Sequence, residues 1–98
     1  MAKFDVHRSG GDTLLLDCQN DLLSHLNTRL VVPLAKPDEA VQIDRRLTPI
    51  LQVEGEGRLM LTHFAAAIPL ADLGTRIGSV RDQEYVVAAA LDMLISGY

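Results

Sequence analysis

With 98 residues and a formal net charge of −4, the chain has room for one small domain, and its charge excludes the basic face of a nucleic-acid or anionic-membrane binder. An apolar fraction of 48% is that of a folded globule rather than a disordered segment. No apolar run reaches membrane-spanning length, the N-terminus lacks the apolar core of a signal peptide, and Cys18, the single cysteine, has no internal disulfide partner. A cytoplasmic setting without a membrane partner is therefore expected.

In chain order, Phe4–His7 alternates and predicts a first strand, and Arg8–Asp12 is turn chemistry around Gly10 and Gly11. Thr13–Gln19 predicts a return strand buried on both sides, which completes a hairpin. Asn20 and Asp21 break that run and leave Leu22 and Leu23 as an exposed-looking apolar pair. Leu26–Thr28 predicts a turn and Arg29–Leu34 another strand, which Pro33 assigns to an edge or a bulge because it has no N–H for a ladder. Ala35–Ala40 opens a longer connection. Leu47–Val53, the turn Glu54–Gly57 and Arg58–Thr62 predict a second hairpin, and His63–Ala67 a short helical turn or loop. Ile68–Leu70 predicts the last short strand, with Asp72–Gly78 leading onward.

The final stretch carries the clearest helical pattern. Ser79 as N-cap with Asp82 three residues later resembles a capping box, Glu84 adds negative charge to the first turns, and Gly97 suits a left-handed C-cap. Val87, Ala90, Leu91 and Leu94 share one apolar face, which Val86, Met93 and Ile95 widen. The broad face is expected to dock on the core, and the tip from Ile95 to Tyr98 to meet a second chain. Strands over about 3–70 followed by a helix over about 79–96 predict a mainly β domain spanning 1–98: a small antiparallel barrel or curled sheet with one helix packed on it.

Little in the sequence promises catalysis. Ser9, Ser24, Ser79 and Ser96 have turn or cap roles, and Cys18 lies in a predicted buried strand. His7, His25 and His63 lack paired-ligand spacing, so neither a metal nor a cofactor is expected. Asp17 and Asp21 are two lone carboxylates, weak grounds for acid–base chemistry.

The block Leu15-Leu-Asp-Cys-Gln-Asn-Asp-Leu-Leu23, followed by Thr28-Arg-Leu-Val-Val-Pro-Leu34, resembles the pattern of the CcdB-like toxins of bacterial toxin–antitoxin modules. There a strand ending Val-Asp-Val-Gln-Ser-Asp precedes an Ile/Leu pair and an Arg-Arg/Leu-Val-Ile-Pro-Leu strand. Pro49 before the Glu54–Gly57 turn, Met60-Leu61-Thr62, Ile68-Pro69-Leu70 and a closing helix ending at Gly97 continue the match in register. The resemblance implies a small SH3-like barrel with a long C-terminal helix, assembled as a homodimer. It implies a non-enzymatic toxin that binds the A subunit of DNA gyrase and traps its cleavage complex, and that a CcdA-like antitoxin neutralises.

Carried over by position, the gyrase-binding residues are Leu22, Leu23, Glu84, Asp92, Ile95, Ser96, Gly97 and Tyr98. Ser96 and Tyr98 stand where some family members carry Trp and Ile, and Asp92 where an Asn is found; a missing Trp removes a large anchor. Two alternatives remain open: a messenger-RNA endoribonuclease of the MazF-like toxins, which share the barrel type, and a degenerate toxin that only binds its antitoxin.

Overall fold

The computed structural model describes residues 2–97. Seven strands form one antiparallel sheet: β1 (Asp5–Arg8), β2 (Leu14–Asp17), β3 (Thr28–Ala35), β4 (Ile50–Val53), β5 (Glu56–Met60), β6 (Ala66–Pro69) and β7 (Thr75–Ser79). The order is β4-β5-β3-β2-β1-β7, with β6 pairing the first half of β3. The helix α1 (Glu84–Ser96) follows. No helix among the described residues is long and apolar enough to cross a membrane.

The two hairpins form where turn chemistry demands them. Gly10 and Gly11 both take positive φ between β1 and β2. Glu54 and Gly55, at φ 53° and 81°, make the two-residue connection between β4 and β5, whose positive φ values match the twist of the flanking strands.

Alternation along β2 and into Cys18, the residue after it, divides the side chains between two apolar clusters. Leu14, Leu16 and Cys18 enter the main core with Val6, Val32, Leu34, Leu51, Val53 and Met60, where Val80, Val87 and Ala90 meet them. Leu15 faces the other side with Val31 and Leu73, under Ile68 and Leu70. Each fully buried Leu or Val contributes about 1.5–3 kcal/mol relative to exposure, so this double-sided burial makes β2 the strand around which the sheet is packed.

Three expectations are corrected. Pro33 lies in a central strand, not at an edge. Leu30 accepts from Cys18 N–H at 2.9 Å, so alternation turns Pro33 away from β2. It fases the place where β3 changes partner from β6, paired through Val31, to β5, paired from Leu34; its own carbonyl accepts from Leu61 N–H at 3.0 Å. A missing N–H is tolerated at that break.

The strands also do not end near residue 70. β7 lies beyond it and pairs with β1 through Asp5↔Ser79 and Arg8↔Thr75. Gly74 introduces it at φ +85°, where a Cβ would sit 2.0 Å from the Arg8 carbonyl, so only glycine fits this approach.

Finally, the α-helix starts at Glu84 rather than near 79. Ser79 closes β7, its hydroxyl accepts from Arg81 N–H at 3.2 Å, and Arg81–Gln83 forms a 3-10 turn. The Gln83 amide is drawn to the edge strand β4, accepting from Gln52 N–H (2.8 Å) and donating to Gln52 C=O (2.9 Å). It bonds one edge residue as a neighbouring strand would, and thereby ties the helix start to β4. Gly97 caps the helix in the left-handed conformation, its N–H donating to Met93 C=O at 3.1 Å.

Candidate functional site

Between β2 and β3 the chain forms a short arm. Asn20 caps it by accepting Leu22 N–H at 2.9 Å, and Asp21–Leu23 makes one 3-10 turn. On this turn Leu22 is 84% and Leu23 45% exposed. Both leucines lie outside the two cores, as their position after Asn20-Asp21 predicts.

The base of the arm is a buried ion pair on the face of β2 and β3 turned away from the main core. Arg29 Nε donates to Asp17 Oδ2 at 2.9 Å and Nη2 lies 2.6 Å from the same oxygen, with both side chains fully buried. Arg29 Nη1 has no hydrogen-bond partner among the described residues. Desolvating two charges is costly, and losing one partner strands the other in a poor solvent for ions. Asp17 is thus bound to Arg29 as its structural partner, and Asp21 accepts from Lys3 N–H at 2.9 Å. Burial first, and then the Asp17 charge, push the neighbouring Cys18 thiol from 9.0 up to about 12, which leaves it protonated and inert.

On α1, Val87 and Ala90 are buried. The opposite side carries Glu84, half-buried, with Asp92, Ile95 and Ser96 exposed; the spacing 84, 88, 92, 95 and 96 puts them along one outward stripe. Ile95 is 76% exposed, and Gly97 follows as the exposed cap. Tyr98 lies outside the described residues. The structure thus brings Glu84, Asp92, Ile95 and Ser96 together on one helix side and puts Leu22 and Leu23 on a separate arm. No hydrogen bond joins arm to tip among the described residues.

One large side chain on this stripe is absent from the sequence-based set. Tyr85, 84% exposed, precedes Asp92 by seven residues and so shares its side of the helix. An exposed aromatic with no core role was the available signal.

Elsewhere, a cleft of about 290 Å³ is lined by Arg8, Lys36 and Arg58 together with Asp12, Glu54 and Glu56. None of the sequence-predicted site residues lines it. No cluster of three or more His, Cys, Asp or Glu is placed to hold a metal among the described residues, and His7 is buried with Nδ1 3.3 Å from the Gly74 carbonyl.

Residues 3–97 match the family model described as CcdB protein. The chain belongs to the CcdB family. That membership makes it a toxin of the kind paired with an antitoxin, as the Asp17–Leu34 block implies. Among solved structures, an endoribonuclease from a mycobacterial species aligns with a TM-score of 0.77 at 15% identity, over 98% of this chain and 91% of that one. At that identity the likeness is one of fold, the curled antiparallel sheet with a C-terminal helix of the CcdB/MazF type.

Proposed function

We propose that this CcdB-family chain acts in the cytoplasm as a homodimeric toxin that binds the A subunit of DNA gyrase and traps its cleavage complex. The observation that carries the reading is Leu22, an almost fully exposed leucine on a hydrogen-bonded arm, in the block with the strongest family resemblance. The outward stripe of α1 supports it: Ile95, Asp92, Ser96 and Glu84, with Tyr85 added, would supply the second contact and Gly97 and Tyr98 its end. A twofold axis would double both patches into one larger surface. A CcdA-like antitoxin would compete by covering the dimer.

An endoribonuclease activity is the second reading, favoured by the fold likeness to the mycobacterial enzyme. Against it stand the net charge of −4 and a cleft lined by as many carboxylates as cations, three of each, a poor match to an RNA backbone. A toxin reduced to binding its antitoxin would fold and dimerise without either activity.

Titration against the breakage-reunion fragment of the gyrase A subunit separates these readings. The expected result is saturable binding by a dimer, lost when Ser96–Tyr98 are deleted, with thermal stability retained. No binding up to high micromolar from a folded dimer would reject the gyrase reading, and cleavage of a structured RNA by the same preparation would establish the alternative.

A further inference from the structure

The hydrogen bonds beneath the Leu22–Leu23 arm form a continuous series that begins in the sheet. Arg29 holds Asp17 Oδ2, and Asp17 Oδ1 accepts from Gln19 N–H at 3.0 Å. The Gln19 amide then spans two backbones: Oε1 accepts from Leu30 N–H at 2.9 Å, and Nε2 donates to Leu23 C=O at 3.0 Å. Asn20 and Asp21 bond Leu22 N–H and Lys3 N–H, each at 2.9 Å. The four polar side chains from Asp17 to Leu23 (Asp17, Gln19, Asn20 and Asp21) are therefore spent on fixing it.

Neither core uses what the arm presents, because Leu22 and Leu23 are exposed. An unconstrained Leu-Leu loop lowers its free energy by folding its side chains against nearby apolar surface. Gln19 opposes that collapse. It is buried at 8% exposure, and among the described residues it alone bridges the arm to β3 through both ends of one side chain.

We propose that Gln19 is a positioning residue for target recognition: its amide locks the Leu22–Leu23 arm to β3 and presents both leucines in one orientation before a partner arrives. This rests on the reading of the arm as a target-contact surface. A locked arm loses less conformational freedom on binding. If unlocking leaves only a fraction of molecules competent, the apparent dissociation constant rises by the inverse of that fraction.

Gln19→Glu tests this at a pH where the introduced carboxyl is ionised, since the carboxylate then keeps an acceptor for Leu30 N–H and loses the donor to Leu23 C=O. Native-state amide exchange at Leu23, Ser24 and Leu26 should quicken about tenfold while Leu16 and Val32 keep their protection. Affinity for the gyrase A fragment should fall about tenfold in parallel, and Leu22→Ala should cost less binding in the Gln19→Glu background than in wild type. Unchanged arm exchange, loss of arm and core protection together, or faster arm exchange with undiminished binding would each overturn the proposal. If Gln19→Glu does not fold, Gln19→Met removes both bonds without adding charge and is read the same way. If the wild type fails to bind the fragment, the gyrase reading is lost, and the exchange pattern alone decides whether Gln19 locks the arm.

Discussion

The Leu22–Leu23 arm is fixed by four polar side chains bonded to backbone or to Arg29. The helix tip from Leu94 to Gly97 has no side-chain hydrogen bond among the described residues and depends on Val87 and Ala90, buried one to two turns earlier. One exposed apolar element is held by local polar chemistry and the other by packing at a distance. The two should therefore fail differently: the arm by losing its geometry while the fold survives, the tip by losing the docking of the whole helix.

The harshest way to break the comparison is Arg29→Ala, which leaves Asp17 buried and unpaired. It should cost about 3–5 kcal/mol, a large share of the roughly 5–15 kcal/mol available to a domain, as read by urea unfolding. Replacing both partners with apolar residues of similar volume should recover much of that loss; a double variant as unstable as the single one would show that the pair is more than a buried charge balance.

Next comes the helix. Val87→Ala should cost about 2 kcal/mol, from lost burial plus a cavity, whereas Ile95→Ala should stay within about 0.5 kcal/mol. Equal losses in thermal melts would mean that the tip is part of the core. Leu22→Ala sharpens the other half of the comparison. It should leave stability within about 0.5 kcal/mol yet weaken target binding by about 2 kcal/mol if it is an interface anchor, measurable by calorimetric titration.

An effect confined to alkaline pH, and the smallest near neutrality, concerns Cys18. With its pKa raised from 9.0 to about 12, folding holds the proton more tightly than the unfolded chain does. The stability from this group is complete below pH 9.0 and declines as pH rises toward 12. Thiol labelling at pH 8 should be negligible in the native protein and stoichiometric in denaturant; rapid native labelling would mean that the core around Cys18, just after β2, opens readily.

Both hairpins were legible because glycine turns bound apolar runs of the right period, and the exposure of Leu22 and Leu23 was legible because Asn20-Asp21 interrupts a buried strand. β7 was not. Thr75-Arg-Ile-Gly-Ser79 carries one large apolar side chain, Ile77, and its pairing is supplied by β1 some seventy residues earlier, which no local pattern encodes. The Ser79/Asp82 pattern misled because Ser79 belongs to that strand and Gln83 bonds Gln52 instead of capping the helix. Of the candidate site, the leucines and the tip were readable as apolar residues out of place. The buried Asp17–Arg29 pair and the Gln19 bridge were not, because a polar residue in an apolar strand announces burial or function only once its partner is known. Pro33 was misread for the same reason, since a central strand tolerates proline only where its neighbour changes.

The pairing of β1 with β7 also bears on how the protein is made. During synthesis the first strand can fold onto β2 almost at once, but its other edge stays open until residues 75–79 emerge. For most of translation the nascent chain therefore displays an unpaired strand edge, the kind of surface that recruits other strands. Completion waits for long-range closure, so folding should be slow for a chain of this length, and a truncation that stops short of Ser79 should leave an aggregation-prone sheet rather than a smaller stable one.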